Sequence, residues 1–130
     1  MNEILVPLSA GELLDKITIL RIKSTRILEP DKLANVRREL ALLESTWQKA
    51  FPNKVAIASE EQALERVNSE LWDIEDRIRA HEARRLFDAT FIELARAVYL
   101  HNDERAAIKK RVNLKLNSSL IEEKSYQPYR

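Results

Sequence analysis

Four polar residues recur at helical spacing along residues 89–116, the last long helix that the sequence predicts: Asn102, Arg105, Lys109 and Asn113. With an advance of about 100° per residue from Phe91, the first three fall within the apolar stripe and the fourth lies on its flank. A polar group buried without a partner costs ~1–3 kcal/mol, so these side chains need polar partners. Arginine binds a carboxylate or phosphate through two parallel hydrogen bonds, and lysine adds a point charge. The set therefore indicates either a pocket for a small anion or an internal network of ion pairs.

The third predicted helix offers the nearest acidic partner for Arg105. Glu75 flanks the apolar seam that contains Leu71 and Ile78, so we expect the Arg105 guanidinium to meet Glu75. An acid of the C-terminal tail is the alternative partner, if the tail folds over this end of the helix. Either carboxylate would satisfy a partly desolvated cation. Glu75 therefore joins the four polar residues as a candidate for ligand binding.

The tail, residues 120–130, contains charged and aromatic side chains that could close such a site. Glu122, Glu123 and Lys124 form a charged trio, and Tyr126 follows closely. We expect Tyr126 to pack back onto the bundle and the tail acids to approach basic residues of the last helix, near Asn113. A mobile tail is the alternative, because the ends of chains usually are mobile.

Other groups of chemistry-bearing residues give weaker signals. Glu70 and Asp73 lie three apart on one helical face, as carboxylates that bind magnesium can, but a solvated acidic face accounts for them better. His81 and His101 lack the HExxH pattern of a zinc site. The chain has a single glycine, which excludes a glycine-rich phosphate loop. We therefore expect no bound metal and no cofactor, and the sequence assigns no catalytic residue.

The composition is typical of one small domain. The chain has 130 residues with 22 basic and 21 acidic side chains, a balance that argues against a nucleic-acid binder. Cysteine is absent, which excludes disulfides and thiolate metal sites and fits a reducing compartment. No apolar run approaches the ~20 residues that span a membrane, and the N-terminus lacks a signal-peptide pattern. We expect a cytoplasmic protein.

The spacing of the apolar residues predicts an all-α fold, a bundle of four main helices over residues 10–28, 32–50, 60–83 and 89–116. An extended N-terminal arm precedes the bundle and a short C-terminal tail follows it. In the second and third helices the apolar residues repeat at three and four positions, which is typical of a helix-pairing seam. We expect Ser9, Asp31, Ser59 and Asp88 to cap the helices, and Asn117 to end the last one in the left-handed conformation.

The first predicted helix is apolar on two sides. Leu13, Ile17 and Leu20 lie on one side, and Ile19 and Ile22 lie on the other. Such a helix is usually sandwiched, either at the centre of its own domain or against another subunit. Together with the apolar arm, Ile19 and Ile22 indicate an oligomer interface. We therefore expect a homodimer, with a partner protein as the alternative contact.

Three blocks of the sequence together resemble the bacterial family called domain of unknown function 6165. The blocks are residues 6–23, residues 71–79 with 87–92, and residues 102–113 with the tail segment 122–126. One departure is Asn117, which stands where the family tends to have glycine. The family name carries no activity. Its members often accompany genes for surface-polysaccharide synthesis, so the resemblance implies a link with that process and no mechanism.

Two functions follow from these patterns. The first is a small helical interaction or accessory protein that acts as a homo-oligomer and is not an enzyme. The alternative is the binding or conversion of a small anionic ligand, such as a sugar phosphate or a sugar nucleotide, at the polar residues of the last helix. Whether Arg105 and Lys109 are open to solvent in a concave site distinguishes the two.

Overall fold

The fold is all-α, as predicted. A computed structural model describes residues 2–53 and 56–129, and over these residues the chain forms four helices and no strand. The helices are α1 (Ala10–Arg26), α2 (Pro30–Ala50), α3 (Ala58–Ala83) and α4 (Ala89–Lys115). Each boundary lies within two residues of its predicted position. Within the described part, no helix is long and apolar enough to cross a membrane.

The predicted caps are correct at two of the four helices. The Ser9 hydroxyl accepts the Glu12 amide at 3.2 Å, and the Asp88 carboxylate accepts the Phe91 amide at 3.0 Å. The predictions for Asp31 and Ser59 are wrong. Helix α2 already begins at Pro30, because the proline ring fixes the backbone angle that the first helical position needs.

The third helix also begins earlier than predicted, at Ala58. The Ser59 hydroxyl, now inside the helix, donates to the Glu60 carboxylate at 2.6 Å instead of capping. After α4, Asn117 has a φ of 51°, which confirms the predicted left-handed residue.

Helix α1 lies at the centre of the bundle and contacts the other three helices. A core of α1, α3 and α4 residues surrounds Leu14, Leu64, Val67, Ile108 and Val112, all at most 2% exposed. The end of α2 packs against this core through a half-buried tryptophan, Trp47. The two apolar sides of α1 are therefore used mainly within one chain.

The only glycine of the sequence marks the crossing of α1 and α4. The Gly11 amide donates to the Asn113 side-chain oxygen at 2.6 Å. A Cβ atom on Gly11 would overlap the Lys109 carbonyl oxygen and crowd the Asn113 side chain. Any larger residue would push the first turn of α1 away from α4, so this glycine is required for a close approach and not for its backbone angles.

We predict that Gly11→Ala destabilises the protein by at least ~2 kcal/mol, because a backbone atom of α4 cannot give way as a flexible side chain can. Urea unfolding followed by circular dichroism measures the change. Lys16→Ala, an exposed position of the same helix, is the matched control and should stay within about 0.5 kcal/mol of the wild type. Equal stability of Gly11→Ala and the control would contradict this close approach.

Candidate functional site

A buried carboxylate on α1 joins three helices. Asp15 is 0% exposed, and its side chain accepts hydrogen bonds from the Asn68 amide of α3 at 2.9 Å and from the Arg105 guanidinium of α4. The guanidinium binds with two nitrogens, Nε at 2.9 Å and Nη2 at 2.5 Å. Thr18 completes this Asp15 network, because its hydroxyl accepts the second Asn68 contact at 3.1 Å and donates to the Asp15 carbonyl.

The predicted pair of Arg105 and Glu75 is wrong. Arg105 faces Asp15 of α1, and Glu75 lies 3.5 Å from Arg79 on its own helix. Asp15 of α1 was not among the predicted partners, which were acids of α3 and of the tail. A signal was present, because Asp15 and Thr18 fall on the same helical stripe as Leu14 and Ile22. Arg105 thus forms an internal ion pair, as one of the two sequence interpretations expected, but its partner is Asp15 and not Glu75.

Lys109 lies one helical turn from Arg105 and is held by two carboxylates. Its Nζ atom is 2.5 Å from Glu12 of α1 and 2.9 Å from Glu122 of the tail, and its side chain is 9% exposed. Burial alone would lower the pKa of Lys109, but the hydrogen bonds to Glu12 and Glu122 outweigh it and raise the pKa. The same contact with Lys109 lowers the pKa of Glu122. Both partners are therefore charged at neutral pH.

Asn113 connects the start of α1 with the start of the tail. Besides accepting the Gly11 amide through its side chain, Asn113 accepts the Ser118 amide through its carbonyl at 2.9 Å. The Ser118 hydroxyl in turn accepts the Ala10 amide at 3.3 Å. The Ser118 contacts set the direction in which the chain leaves α4. Asn113 also lines a small cavity with Glu122, Glu123 and Lys124, which agrees with its expected association with the tail.

The tail follows α4 back along the bundle. Glu123 pairs with Lys110 at 3.3 Å, so the tail acids do approach basic residues of α4. Tyr126, however, is 77% exposed, and the prediction that it packs onto the bundle is wrong. Tyr129 makes that contact instead: its ring meets Tyr99 edge to face at a centroid distance of 5.0 Å, and its hydroxyl donates to Asp103 at 2.5 Å.

A small polar cavity opens where α4, α1 and the tail meet. Its volume is about 240 Å³, and three cationic side chains line it, those of Arg105, Lys109 and Lys124. Two carboxylates, Glu12 and Glu122, line it as well. Asn102 and Ala106 complete this polar cavity. The structure thus brings Asn102, Arg105 and Lys109 together around one concave space, with Asn113 just beyond it.

A second cavity of about 400 Å³ lies on the other side of Arg105, between α1, α3 and α4. Its apolar wall is formed by Ile19, Ile22, Leu71 and Trp72. We call it the lateral cavity. Since Ile22 is only 9% exposed and Ile19 is half-buried, this face of α1 offers little apolar surface for the expected oligomer interface, which stays a prediction.

Metal ligation is a separate question for these residues. In residues 2–53 and 56–129, no group of three or more His, Asp or Glu side chains is arranged to hold a metal ion. The carboxylates of the site, Glu12, Asp15 and Glu122, each face a cation. They serve the charge balance of Arg105 and Lys109.

The fold and site define a class: a small helical protein whose central helix carries a buried aspartate that pairs with an arginine of the last helix, beside a polar cavity. The chain belongs to the family of unknown function DUF6165, whose family model matches residues 4–129. That match confirms the resemblance found in the sequence. The comparisons with curated proteins and with solved structures gave no significant match.

We predict that Arg105→Met destabilises the protein by about 3 kcal/mol, because it leaves the Asp15 carboxylate buried without its counter-charge. Adding Asp15→Asn should recover most of the loss, since the amide keeps the shape without the charge. Glu75→Leu should recover none of it. Chemical unfolding of the single and double variants provides the measurement.

The control for this cycle is Arg66→Met. Arg66 pairs with Glu70 and Glu104 at the surface, where an ion pair contributes ~0–1 kcal/mol. A recovery by Glu75→Leu equal to that by Asp15→Asn would refute the assignment of Asp15 as the partner of Arg105.

Proposed function

We propose that the protein binds a small anionic ligand, with a phosphate or carboxylate group, in the polar cavity. The observation that carries the proposal is the contact between Lys109 and Glu122. Lys109 is nearly buried, yet one of its two anionic partners comes from a tail residue that is 46% exposed. A ligand anion can replace that carboxylate without disturbing the helices.

The charges of the cavity favour such an exchange. With Glu122 in place, Arg105, Lys109 and Lys124 are balanced by Glu122, Glu12 and the neighbouring Asp15. When the Glu122 carboxylate moves out of the polar cavity, three cations remain with two carboxylates, and the site carries a net positive charge. A group with two or more anionic oxygens would restore the balance.

Arg105 is positioned in advance for this task. Asp15 holds the Nε and Nη2 edge of the guanidinium, which fixes the plane of the group. The Nη1 atom has a long contact of 3.4 Å to Asn102, so its hydrogens remain open to a better acceptor. A donor held in place by a buried partner loses little conformational freedom when a ligand binds.

The test is a calorimetric titration with inorganic pyrophosphate at low ionic strength. We expect Glu122→Gln to tighten binding by on the order of tenfold, because the competing carboxylate is removed and more of the protein is binding-competent. Lys124→Met should weaken binding, since it removes a cavity cation that has no part in the Asp15 network.

Glu123→Gln is the matched control. It removes the adjacent tail acid, whose partner Lys110 lies outside the polar cavity, so pyrophosphate affinity should stay as in the wild type. Pyrophosphate binding that is absent from both the wild type and Glu122→Gln would overturn the proposal.

A second candidate function is a homo-oligomeric interaction module in which the N-terminal arm makes the contact. The observation that favours it is the exposure of the arm: Ile4 is 88% and Leu5 is 92% exposed, and Val6 is 66% exposed. Three consecutive apolar side chains left in water are typical of a segment that docks on another chain.

We expect sedimentation at micromolar concentration to show a dimer that the double substitution Ile4→Glu and Leu5→Glu dissociates, because charge on the arm opposes its burial. Leu28→Glu is the control, since Leu28 is 85% exposed in the connection between α1 and α2. A wild-type monomer of 15.1 kDa would rule out this candidate.

A further inference from the structure

The polar cavity and the lateral cavity meet at two shared residues. Arg105 and Asn102 line both spaces, so one ligand can contact them from both sides. The polar cavity has the cations, and the lateral cavity has the larger volume, about 400 Å³ against about 240 Å³. The lateral cavity is an open groove, and a volume of that size can accommodate the body of a small molecule.

The wall of the lateral cavity suits a ring with an apolar face. Ile19 and Leu71 line it together with the indole of Trp72. The indole is held in place by Arg26, whose guanidinium carbon lies 5.6 Å from the ring centroid and which also pairs with Asp73 at 2.6 Å. A fixed aromatic ring offers a flat stacking surface at low entropic cost.

Two carboxylates line the same cavity, and they restrict the ligand further. Glu75 is half-buried and Asp76 is exposed, and as ionised carboxylates both can accept hydrogen bonds from donor groups of a ligand. A fatty acid or another anion with a purely apolar body would displace water from these carboxylates and donate no hydrogen bond in return, which is unfavourable. A ring that carries several hydroxyl groups satisfies them and still presents C–H bonds to Trp72.

From this arrangement we infer that the ligand is a sugar phosphate, with its phosphate in the polar cavity and its sugar ring in the lateral cavity. The inference rests on the proposed anion site and adds the class of molecule. Arg105 lies at the junction, where it can reach the phosphate through Nη1. Asn102, with both a donor and an acceptor, can contact the phosphate and a ring hydroxyl.

The experiment compares inorganic phosphate, three hexose 1-phosphates (glucose, galactose and mannose), glucose, and adenosine monophosphate by calorimetry at one ionic strength. We expect at least one hexose phosphate to bind about tenfold tighter than inorganic phosphate, since hydroxyl groups bonded to carboxylates add to the anion contact. Glucose alone should bind far more weakly than that hexose phosphate.

Two variants assign the added affinity to the lateral cavity. Trp72→Leu and Asp76→Asn should each reduce the ratio of hexose phosphate to phosphate affinity toward one, while phosphate affinity itself is unchanged. Asp31→Asn, at an exposed position of α2, is the control and should keep the full ratio. In a Trp47→Phe background, Trp72 is the remaining tryptophan, so its fluorescence should change with the hexose phosphate and not with phosphate alone.

The outcomes separate the two proposals. If phosphate or pyrophosphate binds and no hexose phosphate binds tighter than phosphate, the sugar inference is overturned and the anion site stands. If none of the anions binds, both are overturned. Adenosine monophosphate bound tenfold tighter than every hexose phosphate would also overturn the sugar class, in favour of a base against Trp72.

Discussion

Asp15 is a carboxylate that water does not reach, and the arrangement of the bundle follows from its need for a counter-charge. An isolated buried carboxylate is strongly disfavoured, so α1 cannot pack until a cation and a hydrogen-bond donor lie against it. Arg105 supplies the cation from α4 and Asn68 supplies the donor from α3. One acidic side chain thereby fixes the rotation of three helices about their axes, and it directs the free edge of Arg105 to the junction of two cavities.

A second point of contact fixes the distance between α1 and α4. Near the start of α1, Gly11 allows the backbones to approach, and Asn113 joins them by a hydrogen bond. Glu12 then lies beside Lys109, and the turn after α4 sends the tail back along the same face. The position of Glu122 is therefore a consequence of how closely the two helices cross.

The helices were predictable because their apolar spacing and two of their caps are local signals. The polar residues of α4 were predictable as a set in need of partners, since they interrupt an apolar stripe. The position of Asp15 on an apolar stripe of α1 signals that this carboxylate needs a partner, but the sequence does not show that the partner is Arg105, because that depends on how α1 is rotated against α4. The burial of Ile22 and the contact made by Tyr129, in place of Tyr126, depend on the same packing of helices.

The contact between Gly11 and Asn113 spans 102 positions of the chain, and this has a consequence for synthesis on the ribosome. Helices α1 and α2 emerge together and can pair at once, but the inner side of α1 must wait for α3 and α4. Contacts of such long range form late, after much chain entropy has been lost. Until α3 and α4 are present, the hydrated charge of Asp15 lies in the middle of the otherwise apolar inner side of α1. The cost of removing this carboxylate from water opposes non-native burial of that side of α1 until Arg105 has been synthesised.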